Sequence, residues 1–341
     1  RDVRELLSAH PTCNFSVLST AIGTTNSQLV LNYGRRRDIS AMEQLLITGG
    51  NGFLGSHLAE GLHQAGYRIK ILARNRGSDT PAPEFETVWG DIRDEAVVDH
   101  AVRGVDRVIH TVSNFRKGGS DKDQAHGINV EGTKVVLEAV RRHKVKQYVH
   151  CSTIGVHGSV LEIPATETTA FNPGDIYQQT KLEAEELVWE FTRHHCLTTT
   201  VIRPISLIGP GDTRMLKLFR MIKKGRFIKF GPCNAYFQPA YIDDVVEGFR
   251  LCLDNPKAFG EVFIIGGDEY VPLETLFTII AEELQVKPPA IRIPLTPMLW
   301  AASLCETICV PLGIEPPLHR RRMSFFQNNR AFSIAKAKKT T

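Results

Sequence analysis

The stretch QLLITGGNGFLG, residues 44–55, decides the fold of this 341-residue chain. Its first five residues form a short apolar run that is typical of a buried parallel strand. Apolar residues then recur at helical spacing from Leu54, and Gly66 ends that pattern. Residues 67–73 alternate in the manner of a second strand. The sequence therefore predicts a strand–turn–helix–strand unit with glycines at the turn.

The glycines of this turn predict a site for a dinucleotide pyrophosphate. Gly49 and Gly52 lack side chains where a backbone would have to approach phosphate, and Gly55 would let the helix pack close to the strand. The helix N-terminus, with Phe53 and Leu54 in its first turn, would present free N–H groups to the anion. A glycine-rich turn without a ligand is the alternative, and the strand and helix context favours the binding site.

The residues after the second strand indicate which cofactor would bind. A carboxylate at this place would hold a ribose 2′-hydroxyl, whereas arginine would hold a 2′-phosphate. The chain has Arg74 and Arg76 here and no acid before Asp79, which favours NADP(H) over NAD(H). These arginines could instead coat a solvated loop or stack on adenine.

Tyr177 and Lys181 stand four residues apart in a segment, 175–195, that has a helical pattern. Residues at this spacing share one face of a helix. An ammonium near a phenol lowers the phenol pKa and makes tyrosine a useful proton donor or acceptor. A chance pair on an exposed helix is the alternative, so the position of the pair in the fold carries the argument.

Two hydroxyls follow another predicted strand, residues 147–151. Ser152 and Thr153 come directly after it, and ligands of open α/β sheets bind beyond the carboxyl ends of the strands. A hydroxyl there can orient a substrate oxygen and stabilise developing charge. Capping a helix or a turn is the more ordinary use of such residues.

Taken together, these motifs resemble the extended short-chain dehydrogenase/reductase superfamily. More narrowly, the chain is similar to the NAD-dependent epimerase/dehydratase group, whose relatives include dihydroflavonol reductases and 3β-hydroxysteroid dehydrogenases. The resemblance covers about residues 43–338. It rests on these motifs: TGGNGFLG (48–55), GDI (90–92), NVEGT (129–133), STIGVHG (152–158), YQQTK (177–181), RP (203–204), GPGD (209–212) and YIDDV (241–245).

The resemblance implies catalytic roles for three residues. Tyr177 would be the acid/base, and Lys181 would bind the ribose and tune Tyr177. Thr153, four residues before His157, would be the family hydroxyl, with Ser152 as the second choice. His157 replaces the usual tyrosine of this motif, which changes a polar group expected on the substrate side.

The resemblance also implies further cofactor contacts. Asp91 and Ile92 would contact adenine, Asn129 would position the helix and the lysine, and Thr111 would lie in the run after the fourth strand. Pro204 and Ile205 would flank the nicotinamide. Val112 is bulkier than the small residue that the family often has there, so the wall of the nicotinamide site is expected to differ.

The function predicted on this basis is an NAD(P)-dependent oxidoreductase that interconverts a secondary alcohol and a ketone. A nucleotide-sugar 4-epimerase with tightly bound NAD is the first alternative, and a non-catalytic nucleotide-binding sensor or scaffold is the second. Dehydration is disfavoured because Ile154 and Gly155 stand where dehydratases resemble Asp-Glu. The small-molecule substrate stays open between sugar nucleotides and steroid- or flavonoid-like compounds.

Strands and helices alternate from residue 44 to about 203, which predicts a Rossmann-type doubly wound parallel sheet. Residues 42–206 plus about 238–268 are expected to form this NAD(P)-binding domain. About 207–237 plus 269–335 are expected to form a smaller, mostly helical substrate lobe. Residues 1–41 do not fit the fold and are interpreted as a disordered or non-native extension.

The composition excludes several other classes of protein. A net charge of +4 is too small to indicate nucleic-acid binding, and the seven cysteines lack the spacing of a metal site. Scattered cysteines without a disulfide framework predict a reducing, cytoplasmic location. The segment 295–312 is too short and interrupted for a comfortable membrane span and predicts a packed lobe helix, with shallow membrane contact left open. Relatives commonly form homodimers.

Overall fold

The computed structural model describes residues 42–74, 85–115, 122–309 and 323–340. The extension expected at 1–41 lies outside these residues, as do Arg76 and Asp79.

A parallel sheet of seven strands organises the chain, and it confirms the predicted doubly wound α/β fold. The spatial order is β11-β6-β5-β4-β1-β2-β3, so the direction of winding reverses between β1 and β4. The strands of this sheet are β1 (Gln44–Thr48), β2 (Arg68–Ala73), β3 (Glu86–Trp89), β4 (Arg107–His110), β5 (Gln147–Cys151), β6 (Thr199–Pro204) and β11 (Glu261–Ile265). Ligands of such sheets bind at that reversal, beyond the carboxyl ends of the strands.

Helices cover both faces of the sheet. On one face, α1 (Phe53–Gln64) packs beside α7 (Ile242–Cys252), and a Cβ atom at Gly61 would meet Val246 at 2.6 Å. The other face carries three helices: α2 (Glu95–Val102), α4 (Gly132–Arg142) and α5 (Ile176–His195). A short helix α3 (Lys122–His126) runs through a π-helical turn, Gly127–Glu131, into α4.

A second apolar cluster lies apart from the core of the sheet domain. Aromatic and aliphatic side chains from α6 (Thr213–Lys223) and α8 (Leu273–Glu283) pack together there with Phe237 and Phe326. Two short strand pairs border it: β8 (Lys229–Phe230) with β13 (Arg292–Ile293), and β9 (Tyr236–Phe237) with β12 (Val271–Pro272). A third pair, β7 (Ser206–Ile208) with β10 (Pro239–Tyr241), packs with the core of the sheet domain. We propose, as the sequence predicts, that this cluster is the core of a substrate lobe.

The apolar segment that begins at Leu295 forms helix α9 (Leu295–Cys309). Only Ala302 is buried in it, whereas Trp300, Leu304 and Ile308 are 77%, 63% and 53% exposed. The prediction of a helix is therefore correct, whereas the prediction that this helix is packed is wrong for most of Leu295–Cys309. Within the described ranges, no helix is both long and apolar enough to span a membrane.

A buried amide is one of the contacts that hold the C-terminal segment against the rest of the chain. Gln238 is fully buried; its Nε2 donates to the carbonyls of Gly267 (2.6 Å) and Phe332 (3.0 Å), and its Oε1 accepts from the backbone N–H of Phe332 (2.7 Å). From there the chain passes into the last helix, α10 (Ala335–Thr340).

Replacement of Gln238 by Leu should lower the free energy of unfolding by about 3 kcal/mol, because three buried backbone groups lose their partner. Chemical denaturation measures the change, with the exposed Gln327→Leu as the matched control. A Gln238→Leu protein as stable as the control would show that the amide does not hold this segment.

Candidate active site

Only glycine fits at residue 55, in the first turn of α1, because this residue packs against the backbone of the turn after β1. A Cβ atom at Gly55 would collide with the carbonyl oxygen of Gly49, and Gly49 itself has a positive φ of 77°. The N–H of Gly52 closes the turn on the carbonyl of Gly49 at 2.9 Å, and no side chain caps α1 at Gly52. The first turn of α1 can therefore offer N–H groups to an anion, and a dinucleotide pyrophosphate fits this cradle.

Two residues of that first turn differ in their surroundings. Leu54 packs against the core of the sheet, whereas the ring of Phe53 lies 5.3 Å below the guanidinium of Arg214. Arg214 is also bound to Asp212, whose Oδ1 accepts from its Nε at 2.8 Å. A cation from α6 is thus held close to the glycine turn, and no sequence pattern predicts this contact.

Asp91 lies where the adenosine of the cofactor is expected. Hydrogen bonds from the Arg93 side chain hold the pKa of Asp91 down at about 2, although burial opposes them, and nearby Arg74 lowers it further. The carboxylate is therefore ionised, and Arg74 is an exposed cation at the end of β2. Ile92 is 6% exposed and packs under Gly132, so only its backbone can face an adenine.

The loop after β4 is tied to two parts of the site. Thr111 Oγ1 donates to the Thr48 carbonyl at 2.7 Å, and a Cβ atom at Gly49 would lie 3.0 Å from that hydroxyl and 3.2 Å from Val112. Val112 thus borders the glycine turn. Further along, the backbone N–H of Asn114 donates to Asn129 at 2.7 Å.

Asn129 links this loop to the helix that carries Tyr177 and Lys181. It is 1% exposed, and its Nδ2 donates to Thr180 Oγ1 on α5 at 2.8 Å. This arrangement agrees with the role that the resemblance implies, which is to position the helix and its lysine.

The ammonium of Lys181 is buried against the end of β5. Its Nζ donates to the carbonyl of Cys151 at 2.7 Å and lies 3.5 Å from Nε2 of His150. The side chain is 2% exposed, and burial lowers the pKa of the ammonium. The ammonium is thus anchored to the end of β5 by its hydrogen bond to the Cys151 carbonyl.

Tyr177 lies in the first turn of α5, and Thr153 caps a 3-10 turn that packs on this helix. Tyr177 is half-buried one turn before Lys181, and the ring of Phe115 meets it edge-on at 4.8 Å. Thr153 Oγ1 accepts from the Gly155 N–H at 3.0 Å and caps the 3-10 turn Ile154–His157. That turn packs on α5, because a Cβ atom at Gly155 would lie 3.2 Å from Gln178. The Thr153 hydroxyl acts as the acceptor in its hydrogen bond with the Gly155 N–H.

Ser152 is engaged in a buried network next to the site. Its hydroxyl donates to Glu185 Oε2 at 2.6 Å, and Glu185 forms a buried ion pair with Arg203. His157 accepts from Arg203 Nη1 at 2.9 Å, and burial, with the charge of Arg203 added, lowers the pKa of the imidazole. His157 is therefore a neutral buried group, and the expectation that it faces the substrate side is wrong.

Pro204 and Ile205 follow Arg203 at the carboxyl end of β6. Both are buried, and the Ile205 N–H donates to the carbonyl of Ile265 on β11 at 3.0 Å. They lie at the carboxyl ends of the strands, which is the side of the sheet where the nicotinamide is expected to bind. Among the described residues, no group of His, Cys, Asp and Glu side chains could hold a metal ion.

A family model matches most of this domain. Residues 45–266 match the model of the NAD dependent epimerase/dehydratase family. The chain belongs to this family. The resemblance found in the sequence is thereby confirmed, and the protein is an enzyme of the extended short-chain dehydrogenase type.

Characterised members of the family that resemble this chain carry out different reactions. The 3 beta-hydroxysteroid dehydrogenase/Delta 5-->4-isomerase of Mycobacterium tuberculosis is 27% identical over 316 residues, which are 87% of this chain and 84% of that protein. The N-acetyl-alpha-D-glucosaminyl-diphospho-ditrans,octacis-undecaprenol 4-epimerase of Escherichia coli O157:H7 is 28% identical over 255 residues, 74% of this chain and 76% of that protein. The dTDP-glucose 4,6-dehydratase DesIV of Streptomyces venezuelae, solved with NAD and TYD bound, has a TM-score of 0.65 and 26% identity, covering 74% and 84% of the two chains.

Sequence reasoning missed several residues of this family member's site. Glu185 could have been predicted from its spacing, because it stands one helical turn beyond Lys181 and so shares the helix face of Tyr177 and Lys181. No sequence pattern points to Asn114, since its position depends on the hydrogen bond between the loop after β4 and Asn129.

Replacement of Glu185 by Gln should destabilise the protein by about 3–5 kcal/mol, because the buried Arg203 loses its counter-charge. Thermal or chemical unfolding measures the loss, and Glu186→Gln, the same substitution at an exposed position of the same helix, should change stability little. Equal stabilities of the two variants would contradict the buried ion pair.

Proposed function

We propose that the protein is an oxidoreductase that interconverts a secondary alcohol and a ketone, with a nicotinamide cofactor that dissociates after each turnover. The placement of α5 supports this proposal most strongly. The Lys181 ammonium of this helix donates to the Cys151 carbonyl at the end of β5, and the 3-10 turn that Thr153 caps packs against Gln178 of the same helix.

The chain supplies the proton chemistry of this reaction. When bound, the nicotinamide donates or accepts the hydride. Tyr177 gives its phenolic proton to the substrate oxygen during reduction and takes the hydroxyl proton during oxidation. The Lys181 ammonium stabilises the phenolate form of Tyr177. Thr153 can donate its hydroxyl hydrogen to the same substrate oxygen and fix its orientation, while the Gly155 N–H occupies one of the two lone pairs of the hydroxyl oxygen.

The apolar lobe favours an apolar alcohol over a sugar nucleotide. Its helix α9 exposes the apolar side chains of Trp300, Leu304 and Ile308, which could contact such a substrate. Two cations at the border of the lobe are already paired, since Lys229 and Arg292 donate to Glu274 at 2.6 and 2.7 Å. A nucleotide diphosphate would require cations that are not neutralised in this way.

The 4-epimerase alternative has one specific observation in its favour. Lys217, Lys224 and Arg226 are exposed on and after α6, and they could receive a diphosphate. Such an enzyme would use the same three catalytic residues and would keep its NAD bound. A solvated helix surface explains these cations equally well.

We propose a preference for NADP(H) over NAD(H), supported by Arg74. Its guanidinium is exposed at the end of β2 and close enough to Asp91 to lower the pKa of that carboxyl. A 2′-phosphate on the adenosine ribose would meet this cation. We also propose a reducing, cytoplasmic location, since the six cysteines of the described residues are free thiols.

The Arg74→Ala variant should bind NADPH about tenfold or more weakly, because a charge-assisted hydrogen bond is lost, and should bind NADH almost unchanged. Titration of cofactor fluorescence gives both dissociation constants. Arg68→Ala, an exposed arginine at the opposite end of β2, is the control. An equal effect of Arg74→Ala on both cofactors would contradict the 2′-phosphate contact.

Replacement of Tyr177 by Phe should lower kcat by about 10²–10⁴, because the acid/base is removed, and should leave the dissociation constant of the cofactor nearly unchanged. Turnover of a 3β-hydroxysteroid with NADP⁺ or NAD⁺ is the first assay. Tyr67→Phe removes a hydroxyl that contacts Asp254 in the sheet domain and serves as the control. Full turnover by the Tyr177→Phe enzyme would refute the mechanism.

A further inference from the structure

One buried side-chain atom near the catalytic tyrosine has no protein partner. Nδ2 of Asn114 is shielded from solvent and makes no hydrogen bond, and it is the single side-chain nitrogen or oxygen in that condition among the described residues. Buried polar groups of native proteins are nearly always paired, so an exception calls for a ligand or an ordered water.

The backbone of Asn114 is held firmly in the site. Its N–H donates to Asn129 Oδ1 at 2.7 Å, and Asn129 in turn donates to Thr180 on the catalytic helix at 2.8 Å. The unpaired amide therefore belongs to a position that the surrounding hydrogen bonds fix relative to α5. A fixed donor costs little further entropy when it binds an acceptor.

The loop that carries Asn114 connects the two ends of the expected cofactor path. At its start, Thr111 lies against Gly49 in the phosphate-binding turn. At residue 115, Phe115 packs against the ring of Tyr177 at 4.8 Å. The nicotinamide half of the cofactor has to extend from the first point to the second, because its reacting carbon must reach the substrate that Tyr177 protonates.

We propose that the Asn114 amide donates a hydrogen bond to an oxygen of the nicotinamide-riboside half of the cofactor. That half offers ribose hydroxyls and a carboxamide oxygen as acceptors. The inference rests on the proposed function, since it needs a nicotinamide dinucleotide in this site. Asn114 would then be a cofactor-binding residue that takes no part in proton transfer.

Binding of whole and partial cofactors to two variants tests this role without any assay of turnover. Asn114→Leu has a similar volume and no donor, and Asn114→Asp keeps the shape but replaces the donor with an acceptor. Both should bind NADPH and NADH about tenfold more weakly than the parent protein, the equivalent of one net hydrogen bond. Both should bind ADP, which lacks the nicotinamide half, as the parent does.

The thermal midpoint of the free protein gives a second readout. Asn114→Leu should melt no lower than the parent protein, because it removes a buried donor that has no partner. A structural asparagine would behave in the opposite way. Asn234→Leu, the same change at an exposed asparagine, should alter neither cofactor affinity nor melting.

Three outcomes would overturn the inference. Parent-like affinity of both Asn114 variants for NADPH and NADH would assign the amide to a water or a substrate instead. Loss of ADP affinity by the same factor would show that the side chain merely holds the loop. If Asn114→Leu does not fold, Asn114→Asp decides by the same criteria. A parent protein that binds neither cofactor would overturn the proposed function and this inference together, so the two failures are distinguishable.

Discussion

A lysine ammonium that is 2% exposed needs hydrogen-bond acceptors inside the protein, and Lys181 finds one at the end of β5. The carbonyl of Cys151 accepts at 2.7 Å, and His150 lies at 3.5 Å. Because the carbonyl belongs to the strand, this contact fixes α5 to the carboxyl edge of the sheet. The place of Tyr177 follows, since it stands one helical turn earlier on the same face.

The next turn of α5 is anchored in the same way. Glu185 pairs with Arg203 on β6 and accepts from Ser152 after β5. One face of α5 therefore carries Tyr177, Lys181 and Glu185 at positions i, i+4 and i+8. The contacts of Lys181 and Glu185 with the sheet fix the position of Tyr177. A buried pair of this kind gives little net stability compared with apolar residues, but the loss of either partner is costly.

The sequence allowed the sheet and the catalytic pair to be predicted because both depend on local spacing. The glycine turn, the strand before it and the four-residue interval of Tyr177 and Lys181 can be recognised without any distant contact. The inward orientation of Ile92, the pairing of His157 with Arg203 and the isolated amide of Asn114 depend on residues far apart in the chain. The exposure of α9 was missed because an apolar helix normally indicates burial, and here the described residues cover little beyond Ala302.

The central claim is that the nicotinamide cofactor dissociates between turnovers, and this claim separates an alcohol oxidoreductase from an epimerase built on the same fold. The most direct test is to denature the purified protein and to quantify any released nicotinamide nucleotide by mass spectrometry. The account predicts far less than one nucleotide per chain, together with reversible binding of added NADPH. One NAD released per chain would contradict it and would identify an enzyme that retains its cofactor.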